Sequence, residues 1–108
     1  MPRVRLSWPY GCKHLAMVAG SWAQWHPQVL IPSQVSTAAA SSAEIWSTEI
    51  NLPENVDEVF RFKFIVDGEW VYDSALPVLP NVHGSFDNYI KVLKMWNWNT
   101  FRLKVSKF

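Results

Sequence analysis

"EVFRFKFIVDGEWVYD", residues Glu58 to Asp73, decides the fold. Phe60, Phe62 and Phe64 fall at every second position, the period of a strand with one buried face. Asp67-Gly68 follows at once. Asp-Gly between two strand patterns signals a two-residue hairpin loop, because both central residues need positive φ. With that loop, Val66 lies opposite Glu69, Ile65 opposite Trp70, and Lys63 opposite Tyr72. Opposed residues share a face. Phe60, Phe62, Phe64, Val66 and Val71 therefore point one way, with Glu69 at the rim. Arg61, Lys63, Ile65, Trp70 and Tyr72 point the other way.

Energetics choose which face is the core. Burying each Phe is worth roughly 1.5–3 kcal/mol, whereas burying Arg61 and Lys63 unpaired costs more than it returns. Trp70 is then left on the outward face, diagonal to Lys63. Such a ring can simply cover a sheet edge, since scattered exposed apolar side chains are normal. A Trp and a Tyr beside a Lys also form a platform suited to a sugar, a base or a proline-rich peptide. Pattern alone does not choose among them.

Working outward, strand signals outnumber helix signals. "VRLSW" alternates Val4, Leu6 and Trp8 and stops at Pro9 and Gly11. "KHLAMVAG" is short, apolar and ended by Gly20, and "IWSTEINLP" alternates Trp46, Thr48, Ile50 and Leu52 up to Pro53. "DNYIKVLK" sets Ile90 and Val92 on one face, with Tyr89 and Leu93 on the other. Short strands between turn residues predict an all-β antiparallel sandwich or barrel. Ser33 to Ala43, "SQVSTAAASSA", reads as a long mobile loop because it has no apolar stripe. The module is expected over residues 1–94, with 95–108 an extra strand or a linker.

The chain has 108 residues, 49% of them apolar and 18% charged, which excludes a disordered class and fits one domain. Its formal net charge is +1 with scattered signs, which argues against a phosphate-tracking nucleic-acid surface. One cysteine, Cys12, allows no internal disulfide and no cysteine metal cluster, so it reads as a buried or edge thiol. No apolar run is long enough to cross a bilayer, and no secretory h-region opens the chain. A soluble, cytoplasmic protein is expected.

Several motifs in register resemble one family. "GSWAQW", Gly20 to Trp25, resembles a G-S-F-N-x-W signature, and "FKFIVDGEWVYD" resembles YKFxVDGxWxxD. "LPVLPNVHGSFDNYIKV" is similar to an ending in which Pro is followed by G-x-x-N-N and a last strand. "LSWPYG" and "INLP" resemble the opening strand and the strand end before the long hairpin. All belong to the glycogen-binding domain of AMP-activated protein kinase β-subunits, in carbohydrate-binding module family 48. The likeness covers roughly Val4 to Lys94.

That resemblance implies an immunoglobulin-like β-sandwich, of the early-set type, that binds α-1,4-glucan (glycogen or starch) without catalysis. It implies stacking of sugar on Trp25 and Trp70, and polar contacts from Lys63, Ser85 and Asp87. Trp8 and Trp22 fall on structural positions. A protein kinase complex is the implied partner, and a plastid location would follow if the natural ligand is starch. This chain departs from the pattern at His83, where kinase subunits often carry leucine, and at Asp87, where they carry asparagine. Its loop after Trp25 and the turn around Asn55 to Glu58 are both longer.

Other chemistry is poorly supported. His14, His26 and His83 lack ligand spacing, so no metal is expected. No paired-carboxylate or nucleophile-elbow arrangement can be read from the sequence, and no cofactor motif occurs. The rival reading is a protein-interaction scaffold or kinase-regulatory module using the same surface, with weak or no carbohydrate binding.

Overall fold

The alternation of Glu58–Val66 becomes a nine-residue strand at the middle of the larger of two antiparallel sheets. The computed structural model describes residues 3–33, 44–53, 58–96 and 101–106, with side chains up to residue 92. In chain order the strands are β1 (Arg3–Trp8), β2 (Ala16–Gly20), β3 (Gln28–Val29), β4 (Ile31–Pro32) and β5 (Trp46–Asn51). They continue as β6 (Glu58–Val66), β7 (Glu69–Val71), β8 (Val78–Pro80), β9 (Phe86–Trp96) and β10 (Phe101–Ser106). The small sheet has the order β1-β5-β4, and the large one β10-β9-β6-β2-β3, with β7 on β6 and β8 on β9.

The two sheets close face to face as a β-sandwich of the immunoglobulin-like kind. Val4, Leu6 and Ile50 of the small sheet share one buried cluster with Val18, Phe60, Phe62, Phe64, Ile90 and Val92 of the large one. Phe60, Phe62 and Phe64 are 2%, 1% and 0% exposed, as the strand period requires. The chain changes sheets at Leu30, the single residue between β3 and β4. Leu30 is buried, and its N–H donates to the Ala16 carbonyl at 2.9 Å, so one residue ties the sheets together.

The hairpin register matches its sequence reading, with Val66 opposite Glu69 and Ile65 opposite Trp70. Asp67 and Gly68 have φ of 50° and 86°. Two details differ. The ladder ends at Phe64 opposite Val71, so Lys63 and Tyr72 do not pair. Ile65 lies on the outward face yet is buried, because it stands mid-sheet between Met17 of β2 and Trp70 of β7.

Asp67 does more than turn the chain. Its carboxylate accepts the N–H groups of Lys13, His14 and Leu15 at 2.8, 2.7 and 3.1 Å. Those donors hold its carboxyl below the usual carboxylate range. Near the opposite edge, fully buried Asn88 accepts the Asp73 N–H at 2.8 Å and donates to the Asp73 carbonyl at 2.8 Å and that of Pro77 at 3.3 Å. Asp73 in turn accepts the Tyr10 hydroxyl at 2.8 Å. Trp8 packs on Phe64 and donates to the Gly11 carbonyl, which holds the first turn.

The short strands β3, β4 and β8 carry too few residues to show a period, so the sequence alone does not reveal them. The loop expected at Ser33 to Ala43 lies, from residue 34 on, outside the described residues, as do residues 54–57 and 97–100. β9 runs through Trp96, and residues 101–106 pair with it antiparallel, Phe101 opposite Trp96 and Ser106 opposite Lys91. Cys12 is a partly buried free thiol, its pKa raised chiefly by burial and then by Asp67 and Glu44.

Candidate functional site

Gly20 begins the site. The Trp22 indole folds back over it so closely that a Cβ there would collide with the ring. Trp22 thereby reaches Phe62, with ring centroids 6.0 Å apart, and anchors the short 3-10 turn Ser21–Ala23 to the core strand. The chain then passes through two left-handed residues, Gln24 at φ 52° and Trp25 at φ 62°. Each such non-glycine residue costs on the order of 1 kcal/mol or more. The Trp25 N–H donates to the Gly20 carbonyl at 2.9 Å and the His26 N–H to that of Ala23 at 3.0 Å, which closes the turn. The result is a half-buried Trp25 held at the foot of β6.

Trp25 lines a groove of about 680 Å³ together with Arg61, Lys63 and Trp70. The opposite wall is the β8–β9 connection, through Pro80, Asn81, Val82, His83 and Asp87. Trp70 is 50% exposed, and Val82, at the loop tip, is 95% exposed. The apolar surface here is therefore open to a ligand rather than folded away.

One amide organises that loop. Asn81 Oδ1 accepts the backbone N–H groups of His83 and Ser85, each at 3.0 Å, while the Asn81 N–H donates to the Ser85 carbonyl. Gly84 supplies the positive φ, 79°, that the reversal needs. Asn81 Nδ2 then donates to Asp87 Oδ1 at 3.0 Å. The other oxygen of Asp87 faces Arg61 Nη1 at 3.4 Å, and the same nitrogen donates to the Pro80 carbonyl at 3.0 Å. Both carboxylate oxygens are thus engaged, and the Arg61–Asp87–Asn81 cluster joins β6 to the far wall.

Of the five residues singled out from sequence, the structure brings Trp25, Lys63, Trp70 and Asp87 to this groove. Ser85 is not among its lining residues; it sits in the β8–β9 loop, its backbone N–H donating to Asn81 Oδ1. Arg61, Pro80, Asn81 and Val82 line the groove without having been singled out. Arg61 was legible as a face-mate of Lys63, and the Asn81-x-x-Gly84 turn carried a signal for Asn81. Nothing local marked Pro80 or Val82.

Chemically, the groove is lined by two indole rings, the cationic side chains of Arg61 and Lys63, and one carboxylate that is already paired. Among the described lining residues Asp87 is the one acid. A β-sandwich bearing an aromatic groove with a polar rim belongs to the class of binding modules. Comparison with known proteins narrows this. Residues 2–98 match the family model described as the glycogen recognition site of AMP-activated protein kinase. The chain is also 31% identical over 90 residues to the 5'-AMP-activated protein kinase subunit beta-2 of Homo sapiens, Mus musculus and Rattus norvegicus. That match takes in 82% of this chain and 28% of each relative, so the chain spans less than a third of those subunits. The chain belongs to this glycogen-recognition family of carbohydrate-binding modules, a family of non-catalytic domains. Among its described residues, no helix is long and apolar enough to cross a membrane.

Proposed function

We propose that this chain binds α-1,4-glucan, glycogen in the first place, without cleaving it, and targets a protein kinase assembly to that polymer. Glucose units would stack on Trp25 and Trp70 while Lys63 and Arg61 donate to ring hydroxyls. The observation that carries the reading is that both indoles and Lys63 open onto one groove. A pyranose presents a patch of C–H groups on one face, which can leave water against an indole while its hydroxyls stay at the rim. If each Trp removes on the order of 100 Å² of apolar surface, two contribute roughly 5 kcal/mol before ordering costs. A short oligosaccharide then binds in the millimolar to micromolar range. A branched polymer gains further by avidity when several modules share an assembly.

Asp87 acts in this reading mainly by fixing Arg61 and Asn81, since its own oxygens are already occupied. Ser85 contributes from the loop flank, by its contact with Asn81 or by a hydroxyl reaching the groove mouth. Glycogen is preferred over starch because the matching family is described by glycogen recognition. The kinase assembly is proposed from the relatives' own names, and a cytoplasmic location goes with it.

Titration with maltoheptaose, followed by NMR and by isothermal calorimetry, tests the proposal. Trp70→Ala and Trp25→Ala are each expected to weaken binding about tenfold or more and to reduce glycogen pull-down. A folded wild-type chain with no response to maltoheptaose, β-cyclodextrin or glycogen would overturn it in favour of a protein-docking scaffold.

A further inference from the structure

The far wall of the groove ends in a tip, Val82 to Gly84, whose three residues are all exposed. Val82 at its apex is not packed on the core. A loop without buried apolar contacts opens easily unless hydrogen bonds fix it. Here they come from one side chain. Asn81 Oδ1 takes the N–H groups on both sides of Gly84, from His83 and Ser85. Its Nδ2 donates to buried Asp87, which faces Arg61 of β6 through its other oxygen. Arg61 also donates to the Pro80 carbonyl, where the loop begins. An unbroken relay therefore runs from the groove floor to the tip, and Asn81 is its one link to the residues of the tip.

We infer that Asn81 is a positioning residue of the glucan site, which holds the Val82–His83 tip as a preformed wall and raises affinity without itself touching the sugar. The inference rests on the glucan-binding reading above and adds to it the residue that shapes the far wall. A ligand that meets a mobile wall must order it on binding, and that cost is subtracted from affinity. The position needs an acceptor with two lone pairs on one side and a donor on the other, which an amide supplies. A carboxylate at position 81 would keep the acceptor and lose the donor, and would set a like charge against Asp87. Exchanging the two groups, with a carboxylate at 81 and an amide at 87, restores every hydrogen bond of the relay and keeps the summed charge.

Calorimetric titration of the whole chain with maltoheptaose, paired with amide hydrogen exchange, tests this. The chains compared are the wild type, Asn81→Ala, Asn81→Asp, and Asn81→Asp combined with Asp87→Asn. Each single variant is expected to bind about fivefold more weakly, with faster exchange at the His83 and Ser85 amides and unchanged protection in β6. The combined variant is expected to recover most of the lost affinity and the protection of both amides. A side chain that touched the sugar through its amide would not be rescued this way, since position 81 still lacks one. Weak binding by the combined variant would therefore overturn the positioning role, as would wild-type affinity in either single variant, and each result leaves glucan binding intact. The comparison of Asn81→Asp with the combined variant stands even if Asn81→Ala does not fold. A wild-type chain that does not bind maltoheptaose would overturn both readings.

Discussion

The two faces of β6 differ by one residue of register and by everything else. On the inner face Phe60, Phe62 and Phe64 are sealed among both sheets, and Phe62 and Phe64 meet edge to face at 5.6 Å. On the outer face Arg61 and Lys63 stay partly exposed at a groove, with half-exposed Trp70 on the neighbouring strand. The contrast teaches that aromatic content alone does not mark a core. Charged residues alternating with the phenylalanines decide which rings are buried. Trp70 stays outside because its strand partner Ile65 falls on the charged side.

The sharpest way to break the contrast is on the inner face. Phe62→Ala is expected to cost about 3–5 kcal/mol of stability, seen as a large drop in the denaturant midpoint. Lys63→Ala, one residue away, should stay within about 0.5 kcal/mol. Similar losses from both would mean that the outer face is structural after all.

A middle-sized effect is expected where the groove wall joins the core. Asn88 is fully buried and satisfies both backbone groups of Asp73. Asn88→Ala leaves them unpaired, which should lower stability by about 1–3 kcal/mol in chemical unfolding. Loss of hydrogen-exchange protection at the Asp73 amide would accompany it.

The smallest expected effect concerns the hairpin tip. Asp67 titrates lower when folded than when unfolded, because three backbone N–H groups favour its ionised form. Its contribution is therefore whole above the unfolded value of about 3.9 and is lost as pH falls from there through the folded value. Asp67→Asn should flatten the stability profile in that acid window and leave its shape near neutrality unchanged. An unaltered acid limb would mean that the carboxylate does not hold residues 13–15.

How much could be read in advance follows the range of the interaction involved. The β6–β7 register was legible because period-2 alternation and an Asp-Gly pair are properties of consecutive residues. The grouping of Trp70 with Lys63 came from the same counting. Trp25 was not reachable that way. It was singled out through resemblance of its motif, since a ring at φ 62° after a 3-10 turn has no strand period to count. Ile65 points to the outward face as counted, but its burial was not legible, because alternation states which way a side chain points and not what neighbouring strands lay over it.

By itself, then, the sequence determined the longer strands and the β6–β7 hairpin, which face of the central strand is apolar, and where that hairpin turns. Each of these is settled by sterics and burial within a few residues. Only the tertiary structure decided that Asp67 would clamp a backbone more than fifty residues earlier, that Arg61 of β6 would meet Asp87 on the neighbouring β9, and that Leu30 would pass the chain between sheets. Such contacts form when distant segments are brought together by closing the core, and no local pattern records which of them will meet.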